Sequence, residues 1–172
     1  MPLPIAHGLL GASFSAALVP RSTKRAYAVS ILTAALFANA PDFDFLLVFA
    51  FHSNSWHRGF THSIVFALVV YLISTFVLGQ RRLQEALAYG LAFGSHGMLD
   101  YLTSKEGSGV ELLWPFSNER LLLGWWGLSE VPSKLPPSGV IKALALEVVL
   151  FTPLLIVVLL LLRPRAGVTA AN

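Results

Sequence analysis

Long apolar runs alternate with short polar breaks along this chain, and the runs exceed what a strand or an ordinary buried helix needs. Five stand out: roughly Leu3–Val19, Ala26–Ala40, Thr61–Gly79, Leu83–Asp100 and Ile141–Leu162. A helix that crosses a bilayer takes about 20 apolar residues, with a range near 17–25. The third and fifth runs meet that length, the first and fourth meet it with polar exceptions, and the second is short. A further stretch, Phe45–Phe51, is too short to span and reads as a re-entrant or interfacial piece. The pattern predicts an all-α, multi-pass membrane bundle of about five spans. One domain, 1–172, is expected, because five helices and their turns consume most of the length. Residues 101–140 form a long outer loop whose Trp114, Trp125 and Trp126 suit an interfacial cap.

Composition supports lipid as the solvent. Of 172 residues, 55% are hydrophobic and 12% charged, where a soluble domain carries about 25% charge. Mean hydropathy is +0.69. The formal charge of +3 does not indicate a nucleic-acid partner. Its basic residues sit in small groups between apolar runs rather than in a patch interleaved with aromatics. Arg21, Lys24 and Arg25 follow the first run, Arg81 and Arg82 the third, and Arg163 and Arg165 the fifth. With five spans, these three places fall on one side, which the positive-inside rule makes cytoplasmic. Because basic residues follow the first run instead of preceding it, that run reads as a retained helix with its N-terminus outside.

The absence of cysteine leaves histidine, carboxylates and water as the ligands for any metal. Under this topology His7, Asp42, Asp44, His57, His62, His96 and Asp100 collect at the outer ends of four segments. His96 and Asp100 are four residues apart and share a helical face. His57 and His62 are five apart and diverge on a helix, so His57 is expected in the preceding loop, turned back by Gly59. A turn after Pro41 aims Asp42 and Asp44 at one ion. Each residue has a plainer reading: a lone His is more often a packing residue, and an Asp at a helix end is often a cap. His52 fits no ligand spacing. Ionisable groups at membrane depth are costly, however, and seven at one level point to a divalent metal site. Imidazole with carboxylate suits zinc, manganese or iron. Gly90, Gly94 and Gly97 read as helix-packing positions. Glu147 is expected to pair with Lys142 or to reach the interface.

At these residues the chain resembles the YdjM-type membrane-bound metal-dependent hydrolases, also described as LexA-binding inner-membrane proteins. The resemblance rests on Ala6-His7-Gly8, Pro41-Asp42-Phe43-Asp44, His57-Arg58-Gly59-Phe60-Thr61-His62-Ser63, Ser95-His96-Gly97-Met98-Leu99-Asp100 with Thr103, and Trp114-Pro115-Phe116-Ser117. It covers roughly residues 1–120, and the tail beyond Pro132 carries no motif. It implies a bacterial or archaeal inner-membrane hydrolase, and the His/Asp pattern also resembles a reduced zinc-dependent phospholipase C or P1-type nuclease site. The expected activity is metal-dependent phosphoester hydrolysis, with a lipid or other phosphoester as substrate and the site facing outward. Arg58 and one carboxylate, taken as Asp44, are the candidate catalytic groups. Transport or handling of a metal or other ion is the alternative, and the unbroken apolar character of the third and fifth runs argues against a conduction path.

Overall fold

The structure is a computed structural model and describes residues 4–104, 109–124 and 137–161. Among these residues the α-helices are α1 (Pro4–Leu18), α2 (Lys24–Asn39), α3 (Phe45–Phe51), α4 (Ile64–Leu78), α5 (Leu83–Thr103) and α6 (Pro137–Leu161). Among the described residues there is no strand, only a single antiparallel bridge between Val110 and Leu121. Trp125, Trp126, Arg163 and Arg165, which entered the topology and loop expectations, lie outside the described residues.

Packing follows the logic of helices in lipid. The buried apolar positions are mostly alanines, among them Ala6, Ala12, Ala34, Ala38, Ala86, Ala88 and Ala92, while Phe76 (89% exposed) and Leu161 point outward. Small residues let helix backbones approach where no hydrophobic effect drives them together. Gly11 shows the consequence, since a Cβ there would lie 2.7 Å from the Ala34 carbonyl oxygen. Helix α1 lies against α2, α5 and α6, and α5 also packs on α2 and α4. Helix α5 is thus the central element, and thirteen of its 21 residues are buried.

The expectation of five spans is corrected. Among the described residues, two stretches can cross a membrane by length and composition, Lys24–Phe51 and Gly139–Leu161, or three if Asn54–His62 and Ile64–Leu78, bent by 55°, count as one. The reason is local. Pro41 sits in a 3-10 turn, Ala40–Asp44, that joins α2 to α3. The second apolar run and Phe45–Phe51 therefore merge into one 28-residue stretch, and α3 is no separate re-entrant piece. Helix α1 is apolar but only 15 residues long. Helix α5 has the length, but Gln84, Glu85, His96 and Asp100 lower its apolar character.

The two ends of the bundle differ. At one end the Arg21 guanidinium donates to the Leu159 carbonyl (3.0 Å). A cavity of about 480 Å³ there is lined by Ser22, Ala26, Arg81 and Arg82. Glu85 accepts from Arg82 and from Tyr89, whose ring stacks on Phe37. Tyr89, Ala34, Ala38 and Ala92, with Phe37 and Leu78 against them, form an apolar plug above it. The histidines lie beyond that plug.

Candidate metal centre

The candidate residues come from helices α1 and α5 and from the short turns that flank α3 and precede α4. His7 is in the second turn of α1. The 3-10 turn after α2 carries Asp42 and Asp44. His57 ends a short 3-10 turn in extended backbone, and His62 ends another, Phe60–His62, one residue before α4. Ser63 begins α4 by accepting the Phe66 N–H. The left-handed residue that reverses the chain between the histidines is Arg58 (φ 61°), not Gly59 (φ −82°). His96 and Asp100 project together from α5, both fully buried.

These positions surround one small polar hollow. His96 Nε2 lies 3.3 Å from Asp42 Oδ1, and His62 Nε2 lies 3.7 Å from the same oxygen. His7 Nε2 is 3.6 Å from Asp100 Oδ1, and His62 Nε2 is 4.0 Å from Asp100 Oδ2. Among the described residues none of these six atoms makes a hydrogen bond, although all are buried. A buried polar atom without a partner costs roughly 1–3 kcal/mol; Asp100 Oδ2 has the Arg58 guanidinium 3.2 Å away, and the other five atoms ask for a common partner.

The spacing fits a cation. Zinc–nitrogen and zinc–oxygen bonds are about 2.0–2.2 Å long, so two ligands of one ion stand about 3.0–3.6 Å apart. The observed gaps match or exceed that by a few tenths of an ångström. Three overlapping groups bring their ligand atoms within 4.8 Å of one another, close enough that each could hold an ion: His7, His96 and Asp100; Asp42, His62 and His96; and Asp42, Asp44 and His57. The donors are nitrogen and oxygen throughout, so the residues present fit a divalent ion.

Outer hydrogen bonds aim the imidazoles. The Nδ1 of His96 meets the Ala38 carbonyl (2.7 Å), which takes the ring proton there and leaves the Nε2 lone pair facing the hollow. His62 Nδ1 meets Thr61 Oγ1 (3.0 Å), and that hydroxyl donates to Asp44 Oδ2 (3.1 Å). Asp44 Oδ2 also accepts the Arg58 backbone N–H, while Oδ1 lies 2.9 Å from His57 Nδ1. His7 stacks on His96 with ring centres 3.8 Å apart. Its own Nδ1 makes no hydrogen bond among the described residues.

The structure brings six of the seven sequence candidates to the hollow or one bond from it. The seventh, His57, stands at its edge, stacked on Phe45. His52 lies away from it, exposed at the end of α3. Arg58 turns inward: its Nε is 3.2 Å from Asp100 Oδ2 and its terminal nitrogen donates to Ser104. Glu147 of α6 is buried and accepts the Ala6 N–H (3.1 Å), so its partner is the first turn of α1, one residue from His7. Sequence reading did not single out Thr61, Ser104 or the Ala38 carbonyl. Thr61 had a signal in its place between Asp44's partners and His62; the Ala38 carbonyl had none, being backbone.

Residues 1–168 match the family model described as the YdjM inner membrane protein, and the chain belongs to that family. The inner membrane protein YbcI of Escherichia coli (strain K12) is 37% identical over 105 residues, which cover 56% of this chain. The match spans 60% of that relative's length. No solved structure matches the chain.

Proposed function

We propose that this inner-membrane protein is a metal-dependent hydrolase of phosphoesters, with zinc, or else manganese or iron, in the hollow. One observation carries the reading: three imidazole nitrogens and three carboxylate oxygens, all buried, face one another without hydrogen bonds. His7, His62, His96, Asp42 and Asp100 are the ligand set. A bound divalent ion would supply Lewis acidity, polarising a phosphoryl oxygen and bringing the pKa of water toward about 7.

The remaining chemistry falls to the chain. Hydrolysis adds water to phosphorus, breaks the ester P–O bond and returns a proton to the leaving alcohol. His57 is partly open and held through Nδ1 by the buried Asp44, an arrangement in which the carboxylate fixes the ring while Nε2 accepts and returns that proton. Asp44 acts there by orientation, since both its oxygens are engaged. Arg58 balances the charge of Asp100 and stands beside the hollow, where developing negative charge would be stabilised.

The rival reading, ion transport, needs polar groups continuing through the bundle. The plug of Ala34, Ala38, Ala92 and Phe37 lies between the hollow and the Glu85 end, which favours hydrolysis. On this reading the basic end, with Arg21 and Arg82, faces the cytoplasm and the hollow faces outward, in keeping with the positive-inside rule.

The test is turnover of a phosphoester by purified full-length protein. Chelation should abolish it and zinc or manganese should restore it. His57→Gln should keep the metal yet lower kcat by about 10²–10⁴-fold, the usual worth of a positioned acid–base group. Metal-loaded protein that cleaves no phosphoester and instead carries ions into liposomes would replace the hydrolase with a transporter.

A further inference from the structure

The hollow is closed on most sides but not all. His62 is sealed with no exposed side-chain surface, while Asp42 and His57 keep 18% and 19% of theirs. Segment 109–124 closes over the Arg58 and α5 side. The Glu111 N–H donates to the Arg58 carbonyl (3.0 Å), Ile64 N–H to Leu112 (3.1 Å) and Leu123 N–H to Tyr101 (2.8 Å). Val110 and Leu112 are buried beneath these bonds. The exposed surface that remains is therefore at Asp42 and His57, and His57 stacks on Phe45 at the start of α3.

The chain around this exposed edge forms a wall rich in exposed aromatic and aliphatic side chains. Phe43, between the two aspartates, is 71% exposed, and Phe49 is 79% exposed; Leu46, Phe51 and Trp56 are exposed beside them. Each large apolar side chain left in water forfeits about 1.5–3 kcal/mol of burial, and a contiguous patch of this kind marks a membrane or partner surface. Here the choice is made by continuity. Trp56 aside, the wall belongs to Lys24–Phe51, a stretch long and apolar enough to cross a membrane, and Asp42 lies within that stretch. The polar mouth therefore opens sideways at the end of a lipid-facing wall. A water-soluble ester would have to cross that wall, whereas an amphiphile would match it, its phosphate at Asp42 and His57 and its chains remaining among acyl tails.

We infer that the phosphoester taken by this site belongs to a membrane lipid that arrives laterally past Phe43 and Phe49. The inference rests on the hydrolase reading for its chemistry; the direction of access is tested separately. The protein would be studied whole and zinc-loaded, in nanodiscs. Phe43→Trp should gain emission that is quenched by phospholipids brominated on their acyl chains and spared by aqueous iodide. Iodide quenching without bromolipid quenching would overturn the lateral mouth. In the second arm, phosphatidylglycerol is compared with its water-soluble deacylated diester. Turnover should favour the lipid by on the order of tenfold or more, about 1.4 kcal/mol of discrimination. Equal or faster cleavage of the soluble diester would overturn lipid as the substrate. Cleavage of neither would remove the hydrolase reading and the lipid substrate with it. The quenching result would then decide the direction of the mouth alone.

Discussion

Asp44 takes hydrogens from His57, from the Arg58 backbone and from Thr61, and so ties a 3-10 turn after α2 to the loop before α4. Its sequence neighbour Asp42 does the opposite, presenting an oxygen without a hydrogen bond to His62 and His96. Pro41-Asp42-Phe43-Asp44 was readable as paired carboxylates, but their division into a ligand facing the histidines and an internal organiser depends on tertiary neighbours. Thr61 carries the next inference. Its hydroxyl links His62 Nδ1 to Asp44, and outer partners of this kind typically contribute 10–100-fold in metal affinity. Thr61→Val should therefore lower affinity by about that factor with unfolding temperature little changed, as read by a competition titration with a chelating dye. Unchanged affinity would show that the His62 ring is held by packing alone.

Among the elements, α5 decides how close the parts of the site come. Gly90 and Gly94 admit α4, where an added Cβ would meet Tyr71 and Ala67 at 2.6 and 2.9 Å. Gly97 faces a tighter constraint, because its Cβ would stand 2.1 Å from the His62 carbonyl oxygen. Gly97→Ala should thus push the Phe60–His62 turn away from His96. Overpacking of this kind costs about 1–3 kcal/mol, and here it should also reduce bound metal. Gly8→Ala is the comparison, since its Cβ would meet the movable Asn39 amide at 3.2 Å and should do less on both counts. Thermal unfolding and metal content of the two variants check this. The glycines were recognisable from sequence as packing positions. That Gly97 accommodates a backbone carbonyl rather than a neighbouring helix was not, because the 3-10 turn before α4 has no periodicity to announce it. The merger of α2 and α3 was hidden for a related reason: proline and two aspartates read as a break, yet a 3-10 turn keeps the chain's direction.

For the whole molecule, the distribution of charge and apolar surface was the most legible feature. An all-helical membrane protein, its family and a His/Asp cluster at one end follow from the runs and motifs. The number of spans did not, because apolar length on paper counts α1, which is too short, and α5, which is apolar only on part of its surface. Arg21, Arg81 and Arg82 nonetheless gather at the end away from the histidines, and under the proposed orientation, which follows the positive-inside rule, that end is cytoplasmic. Reporter fusions after Arg25 and Arg82 should both give a cytoplasmic signal, with Trp56 reporting the opposite side. A periplasmic signal after Arg25 or Arg82 would turn the hollow toward the cytoplasm.

The claim beneath all of these is that the hollow holds a metal ion, and elemental analysis of the purified full-length protein tests it most directly. Wild-type protein, dialysed against trace zinc or manganese, should retain at least one ion per chain. His96→Ala and Asp100→Ala should each lose most of it, because both remove donors from the same turn of α5, while His52→Ala should match the wild type. Metal content equal in all four proteins, or absent from all four, would contradict the account.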